Sequence, residues 1–114
     1  MEYFDLIVDG PFQNVQQMVH NYFQYNGFTI QWRNPYYGIA ERGSKGLNVV
    51  GGAFAQYYKI DFQILMLPDQ TICIRLFKAN TGGWGGVAGV YMVDKQFQEI
   101  IDGLSYYFST ETSY

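Results

Sequence analysis

The stretch that decides the fold runs from Ala53 to Ala79, AFAQYYKIDFQILMLPDQTICIRLFKA. Phe54, Tyr58, Ile60, Phe62, Ile64 and Met66 fall on one side of an extended chain, and Tyr57, Lys59, Asp61, Gln63 and Leu65 on the other. Side chains of a strand alternate, so this predicts a long strand over Ala53–Leu67 with one apolar face. Pro68-Asp69-Gln70 supplies the residues of a tight turn. Thr71–Ala79 then reads as the partner strand, with Ile72, Ile74 and Leu76 facing inward and Cys73, Arg75 and Phe77 facing the opposite way. Strands that are apolar on one face need cover on one side only, which is the mark of an antiparallel sheet.

Upstream, Glu2–Asp9 reads as a strand with an apolar centre at Leu6–Val8. Gly10-Pro11 opens a helix, Pro11 suiting the first helical position and Asp9 the positive end of the dipole. Phe12, Val15, Val19, Tyr22 and Phe23 recur at helical spacing and form its buried stripe. Gly27, after Asn26, is a natural left-handed cap. His20 falls off the stripe and reads as a solvated or locally bonded side chain. Phe28, Ile30 and Trp32 alternate with Thr29, Gln31 and Arg33 in a half-buried strand, Asn34-Pro35 turns the chain, and Tyr36–Arg42 returns. In that return strand Tyr37, Ile39 and Glu41 lie on one side and Gly38, Ala40 and Arg42 on the other.

Two glycine-rich connections interrupt this pattern. GSKGLNVVGG, Gly43–Gly52, follows Arg42 and sets two cations, Arg42 and Lys45, and the Ser44 hydroxyl beside permissive backbone. It reads as a long hairpin loop or as an anion cradle; a short helix over Leu47–Tyr57 is opposed by Gly51-Gly52. NTGGWGGVAGVYMV, Asn80–Val93, gathers five glycines around Trp84. Its Asn80–Gly89 part is expected to be neither a regular helix nor a packed strand. Three readings stand: a crossover loop plugged by Trp84, a backbone cradle for an anion, or a flap over a pocket with Trp84 as the gate. No Gly-Lys-Ser/Thr follows, and Gly-x-Gly-x-x-Gly fails at Ala88, so neither nucleotide motif is present. Asp94 is then expected to cap a final helix, with Phe97, Ile100, Ile101, Leu104 and Phe108 inward and Lys95, Glu99 and Asp102 wet. Residues 109–114 are expected to fray.

The 114 residues suit a single domain over 1–114. At 48% hydrophobic and 15% charged the chain is a folding sequence, and 19% aromatic content predicts aromatic surface beyond the core. One Cys and one His leave no structural zinc set and no disulfide, and no metal or cofactor is expected. No signal peptide opens the chain and no apolar run reaches membrane-spanning length. Lone Cys73 agrees with a reducing compartment, so a cytoplasmic protein, or the cytoplasmic part of a larger membrane-associated one, is expected. From Arg33 to Lys78 six cations face three carboxylates, whereas the two ends carry seven carboxylates and one lysine. The middle is basic and the ends acidic.

The resulting order, β-α-β-β-β-β-α, predicts an α+β fold in which one antiparallel sheet carries two helices on one face. The open face is expected to gather Gln31, Arg33, Arg42, Lys59, Gln63 and Arg75, with Tyr57 and Phe77 among them. Over the whole chain this order resembles TATA-binding-protein-like and small helix-grip folds, a likeness that carries no functional residues. Separately, RGSKG (Arg42–Gly46), AQYYKIDFQI (Ala55–Ile64) and NTGGWGG (Asn80–Gly86) resemble an uncharacterised bacterial domain family with members fused to membrane or zinc-ribbon segments. That resemblance covers the last two thirds of the chain and implies a grouping without a mechanism.

For function, the sequence leads to a non-enzymatic binding domain. An anionic or amphipathic small molecule would meet Arg42, Ser44, Lys45 and Arg75, with Tyr57 and Trp84 packing on its apolar parts. The alternative is a protein-interaction domain that homodimerises, supported by the aromatic excess. Single-stranded nucleic-acid binding is disfavoured by the overall acidity and the lack of an RRM-type aromatic signature. Catalysis by Asp61 and Glu41 would need the fold to bring them together in a pocket.

Overall fold

Alternation sets the strands and heptad-like spacing sets the helices, and in a computed structural model both are found in the expected order. The structure describes residues 3–42, 58–78 and 86–111, and the side chains of these apart from 86–94 and 111. The elements are β1 (Tyr3–Asp9), α1 (Phe12–Tyr25), β2 (Thr29–Asn34), β3 (Tyr37–Arg42), β4 (Tyr58–Met66), β5 (Thr71–Phe77) and α2 (Gly86–Glu111). The strands form one antiparallel sheet ordered β1-β5-β4-β3-β2. Leu67, Asp69 and Thr71 close the β4–β5 turn: Leu67 N–H donates to Thr71 O, and Thr71 N–H to the Asp69 carboxylate.

The apolar sides of all five strands share one face. Leu6 lies opposite Ile74, which lies opposite Ile64, and Ala40 lies opposite Ile60 and Ile30. The two helices cover this face. Val15, Val19, Tyr22 and Phe23 come from α1, and Phe97, Ile100, Leu104 and Phe108 from α2, all buried in one continuous core with the strand residues. Tyr22 ties the helices together, its hydroxyl donating to Ile100 O at 3.4 Å and its ring meeting Tyr107. Gly103 makes room for it, since a Cβ there would stand 2.2 Å from the Tyr22 hydroxyl.

The end of α1 is fixed by backbone geometry. Gly27 has φ +84° and lets Phe28 N–H donate to Phe23 O at 2.9 Å while Gly27 N–H donates to Gln24 O at 3.1 Å. This is a Schellman cap, and the Phe23 and Phe28 rings meet edge to face across it at 5.2 Å. Any Cβ is strained at that φ, so Gly27→Ala is expected to lower stability by about 1–2 kcal/mol, read as a fall in the urea midpoint.

Three expectations require correction. The final helix starts at Gly86 and runs through Asp94, so Asp94 does not cap it, and residues 86–89 are helical despite two glycines. Each glycine costs about 1 kcal/mol against alanine, but a helix already nucleated over residues 95–108 extends by adding one hydrogen bond per residue. The helix also reaches Glu111, so residues 109–111 continue it. Finally, Arg42 lies on the helix-covered face, opposite Tyr58 and two residues from Ala40. The bulky aromatics Phe62 and Trp32 flank the small Gly38, so the glycine-alanine side of β3 turns inward and takes Arg42 with it. Ser44, Lys45, Tyr57 and Trp84, both glycine-rich connections up to Gly85, and residues 112–114 lie outside the described residues.

Candidate functional site

Of the sequence candidates, Arg42 and Arg75 lie within the described residues, and the sheet separates them. Arg75 is on the open face at the centre of β5. Its Nε and Nη2 donate to the two carboxylate oxygens of Asp5 on neighbouring β1 at 2.7 and 2.9 Å, and its guanidinium lies over the Tyr3 ring at 4.3 Å. The bidentate pair holds the Asp5 carboxyl below its usual range and raises the guanidinium further. Arg75 is therefore already engaged by an anion of its own chain.

The pairing of β1 with β5 changes the charge of the whole open face. Register places Asp5 and Asp9 of β1 and Glu41 and Asp61 of β3 and β4 on the same side as Lys59 and Arg75. Trp32 lies opposite the inward-facing Gly38, so alternation along β2 turns the next residue, Arg33, to this side too. Four carboxylates thus meet three cations, and the expected basic surface is instead a mixed one. Lys59 sits directly opposite Glu41. The Tyr37 hydroxyl donates to Asp61, and that bond, with burial, raises the phenol's pKa. Cys73, also on this side, is 3% exposed between Leu65 and Ile7, and burial pushes its thiol upward, the protonated state of a packed residue and not of a nucleophile.

The Asp5–Arg75 pair carries a pH signature. A carboxyl whose folded pKa is depressed below 3.8 contributes stability above its unfolded value, and that contribution is lost as pH falls through the folded value. Asp5→Asn is therefore expected to flatten the stability curve below about pH 4, with the smallest difference from wild type at the most acid end. Urea midpoints measured across the acid limb check this.

Arg42 is differently placed. Its Nη1 donates to Asn26 O at 3.3 Å, at the C-terminus of α1, and its Nη2 to Gln96 Oε1 of α2 at 2.9 Å. Its guanidinium carbon stands 4.6 Å over the Phe28 ring. Gln96 is 7% exposed, a buried amide whose oxygen is satisfied by this one cation. The location suits a cation, because the carbonyls ending α1 carry partial negative charge. Among the described residues no carboxylate comes within ion-pair distance of Arg42. Among the described residues all its partners are neutral, and they engage two of its five N–H donors.

Sequence reasoning missed the part played by three residues. The sequence pattern assigns Gln96 to neither face of α2, and its burial follows from the helix phase that faces Phe97 and Ile100 inward. Trp32 and His20 were read separately, yet the indole Nε1–H donates to His20 Nδ1 at 3.1 Å. Among the described residues no group of three His, Cys, Asp or Glu side chains could hold a metal ion, and no helix is long and apolar enough to cross a membrane. Neither protein-family models nor curated proteins give a match to this chain.

Proposed function

We propose that the protein is a non-enzymatic binding domain for an anionic or amphipathic small molecule, and that Arg42 is its anchor. The observation that carries this reading is the neutral surrounding of Arg42 among the described residues: one carbonyl, one amide oxygen and one ring position the guanidinium there, with no carboxylate beside it. The chain continues from Arg42 directly into Gly43-Ser44-Lys45-Gly46, adding a hydroxyl and a second cation in sequence. Arg75, spoken for by Asp5, is no longer part of the proposed site. Asp61 and Glu41 belong to separate cross-strand pairs, which favours binding over acid–base catalysis. The buried thiol of Cys73 supports a reducing, cytoplasmic setting.

The test is a titration with inorganic phosphate, a short-chain alkyl phosphate and an alkyl carboxylate, followed by tryptophan fluorescence. Arg42→Gln is expected to weaken binding by about tenfold or more, equivalent to about 1.4 kcal/mol, Arg42→Lys by less, and Arg75→Gln not at all. Binding that survives Arg42→Gln, or a panel that never binds, overturns the reading.

A homodimer remains the second reading because β1 is an edge strand whose Tyr3 and Ile7 are each 53% exposed. Sedimentation at several concentrations decides it, a concentration-independent monomer ending it.

A further inference from the structure

A second site, independent of Arg42, lies on the outer side of α1. Gln16, Gln17 and His20 from α1 and Trp32 from β2 line a cleft of about 300 Å³, the lower end of the range for small-molecule sites. No Asp, Glu, Lys or Arg occurs anywhere in α1, whose polar side chains are amides, the hydroxyls of Tyr22 and Tyr25, and His20. The cleft's hydrogen-bonding groups are already oriented. Gln16 Nε2 donates to Pro35 O at 3.0 Å and Gln17 Nε2 donates to Asn21 Oδ1 at 2.9 Å. Each leaves its Oε1 as an acceptor and its second amide hydrogen as a donor, with no partner among the described residues. Because Trp32 Nε1–H donates to His20 Nδ1, the neutral imidazole carries its proton on Nε2 and offers one donor.

We propose that this cleft binds a neutral, hydroxylated ligand, a sugar or a polyol. Two carbonyl acceptors, the second hydrogen of each glutamine amide and the His20 Nε2–H suit a molecule rich in hydroxyls, each of which donates and accepts. Among the described residues the lining holds no Asp, Glu, Lys or Arg, which gives an ionised ligand no reason to prefer it. A flat aromatic ligand is disfavoured because the Trp32 ring is already met by His20, stacked at an interplanar angle of 18°, and by Phe62, edge to face at 5.2 Å.

The experiment follows the Trp32 indole N–H and the Gln16 and Gln17 side-chain amides by ¹H–¹⁵N spectroscopy. Glucose, mannitol, adenosine, a blocked dipeptide and inorganic phosphate are added in turn. Glucose or mannitol is expected to shift these signals saturably and independently of salt, with affinity reduced about tenfold by His20→Ala and by Gln17→Ala, whose exposed position leaves the fold intact. The proposal is overturned if neither glucose nor mannitol saturates, if only adenosine, the dipeptide or phosphate does, or if both variants keep full affinity. Arg42→Gln is expected to leave the sugar response unchanged, so this site and the anion site fail separately.

Discussion

Replacing Phe62 by alanine is expected to remove about 3–5 kcal/mol of stability, the range for truncating a fully buried phenylalanine. Phe62 is fully buried on β4 and joins three elements at once. Its ring stacks on Phe23 of α1 at 5.3 Å and meets Trp32 of β2 edge to face at 5.2 Å. It also covers Gly38 of β3, its direct cross-strand partner. Truncation therefore opens a cavity bounded by a helix and three strands, and the hydrogen-bonded sheet cannot collapse into it. Domains of this size are stable by about 5–15 kcal/mol, so the variant should sit near the edge of folding. Urea unfolding should show a large fall in midpoint at unchanged m-value. A loss below about 1 kcal/mol would mean that the ring does not bridge helix and sheet.

Gly38→Ala is expected to cost about 1–3 kcal/mol, although alanine is no worse a strand former than glycine. A Cβ at position 38 would stand 2.5 Å from Phe62 Cζ and 3.0 and 3.1 Å from Cε1 and Cε2. Phe62 cannot yield, because Phe23 and Trp32 hold it from the other sides. The Phe62 and Trp32 rings fold over the glycine and fill the gap that its missing side chain leaves in the sheet. The two positions should consequently couple: in the Gly38→Ala, Phe62→Leu double variant, the losses should sum to less than the two single effects by about 0.5 kcal/mol or more. Strict additivity would contradict the contact.

The same trio shows where sequence reading succeeds and where it stops. Alternation in Tyr58–Met66 and Thr71–Phe77 assigns every residue of β4 and β5 to its correct face, because long strands average over local exceptions. The six-residue β3 has no such margin. Its larger side chains, Tyr37 and Ile39, lie on the open side, while Gly38 and Ala40 face the core to admit aromatics from neighbouring strands. That inversion depends on Phe62 and Trp32, which are distant in sequence, and it moved Arg42 beneath the helices. The charge distribution failed for a related reason. A basic middle and acidic ends were correctly counted along the chain, but β1 docks beside β5 and brings Asp5 to Arg75. Charge summed by sequence says little about a surface assembled from both ends of the chain. The helical state of residues 86–89 was concealed by glycine content, since propensity is a local quantity and the helix is stabilised by packing further along.

The account centres on Arg42 as a cation with no carboxylate partner among the described residues, with Arg75 neutralised by Asp5. The most direct measurement is the ¹⁵Nε–H signal of each arginine during titration with the alkyl phosphate. A saturable shift of the Arg42 signal, with Arg75 unmoved until Asp5 is replaced by asparagine, is the expected result. A shift at Arg75 with Arg42 unmoved in the wild-type protein would contradict it.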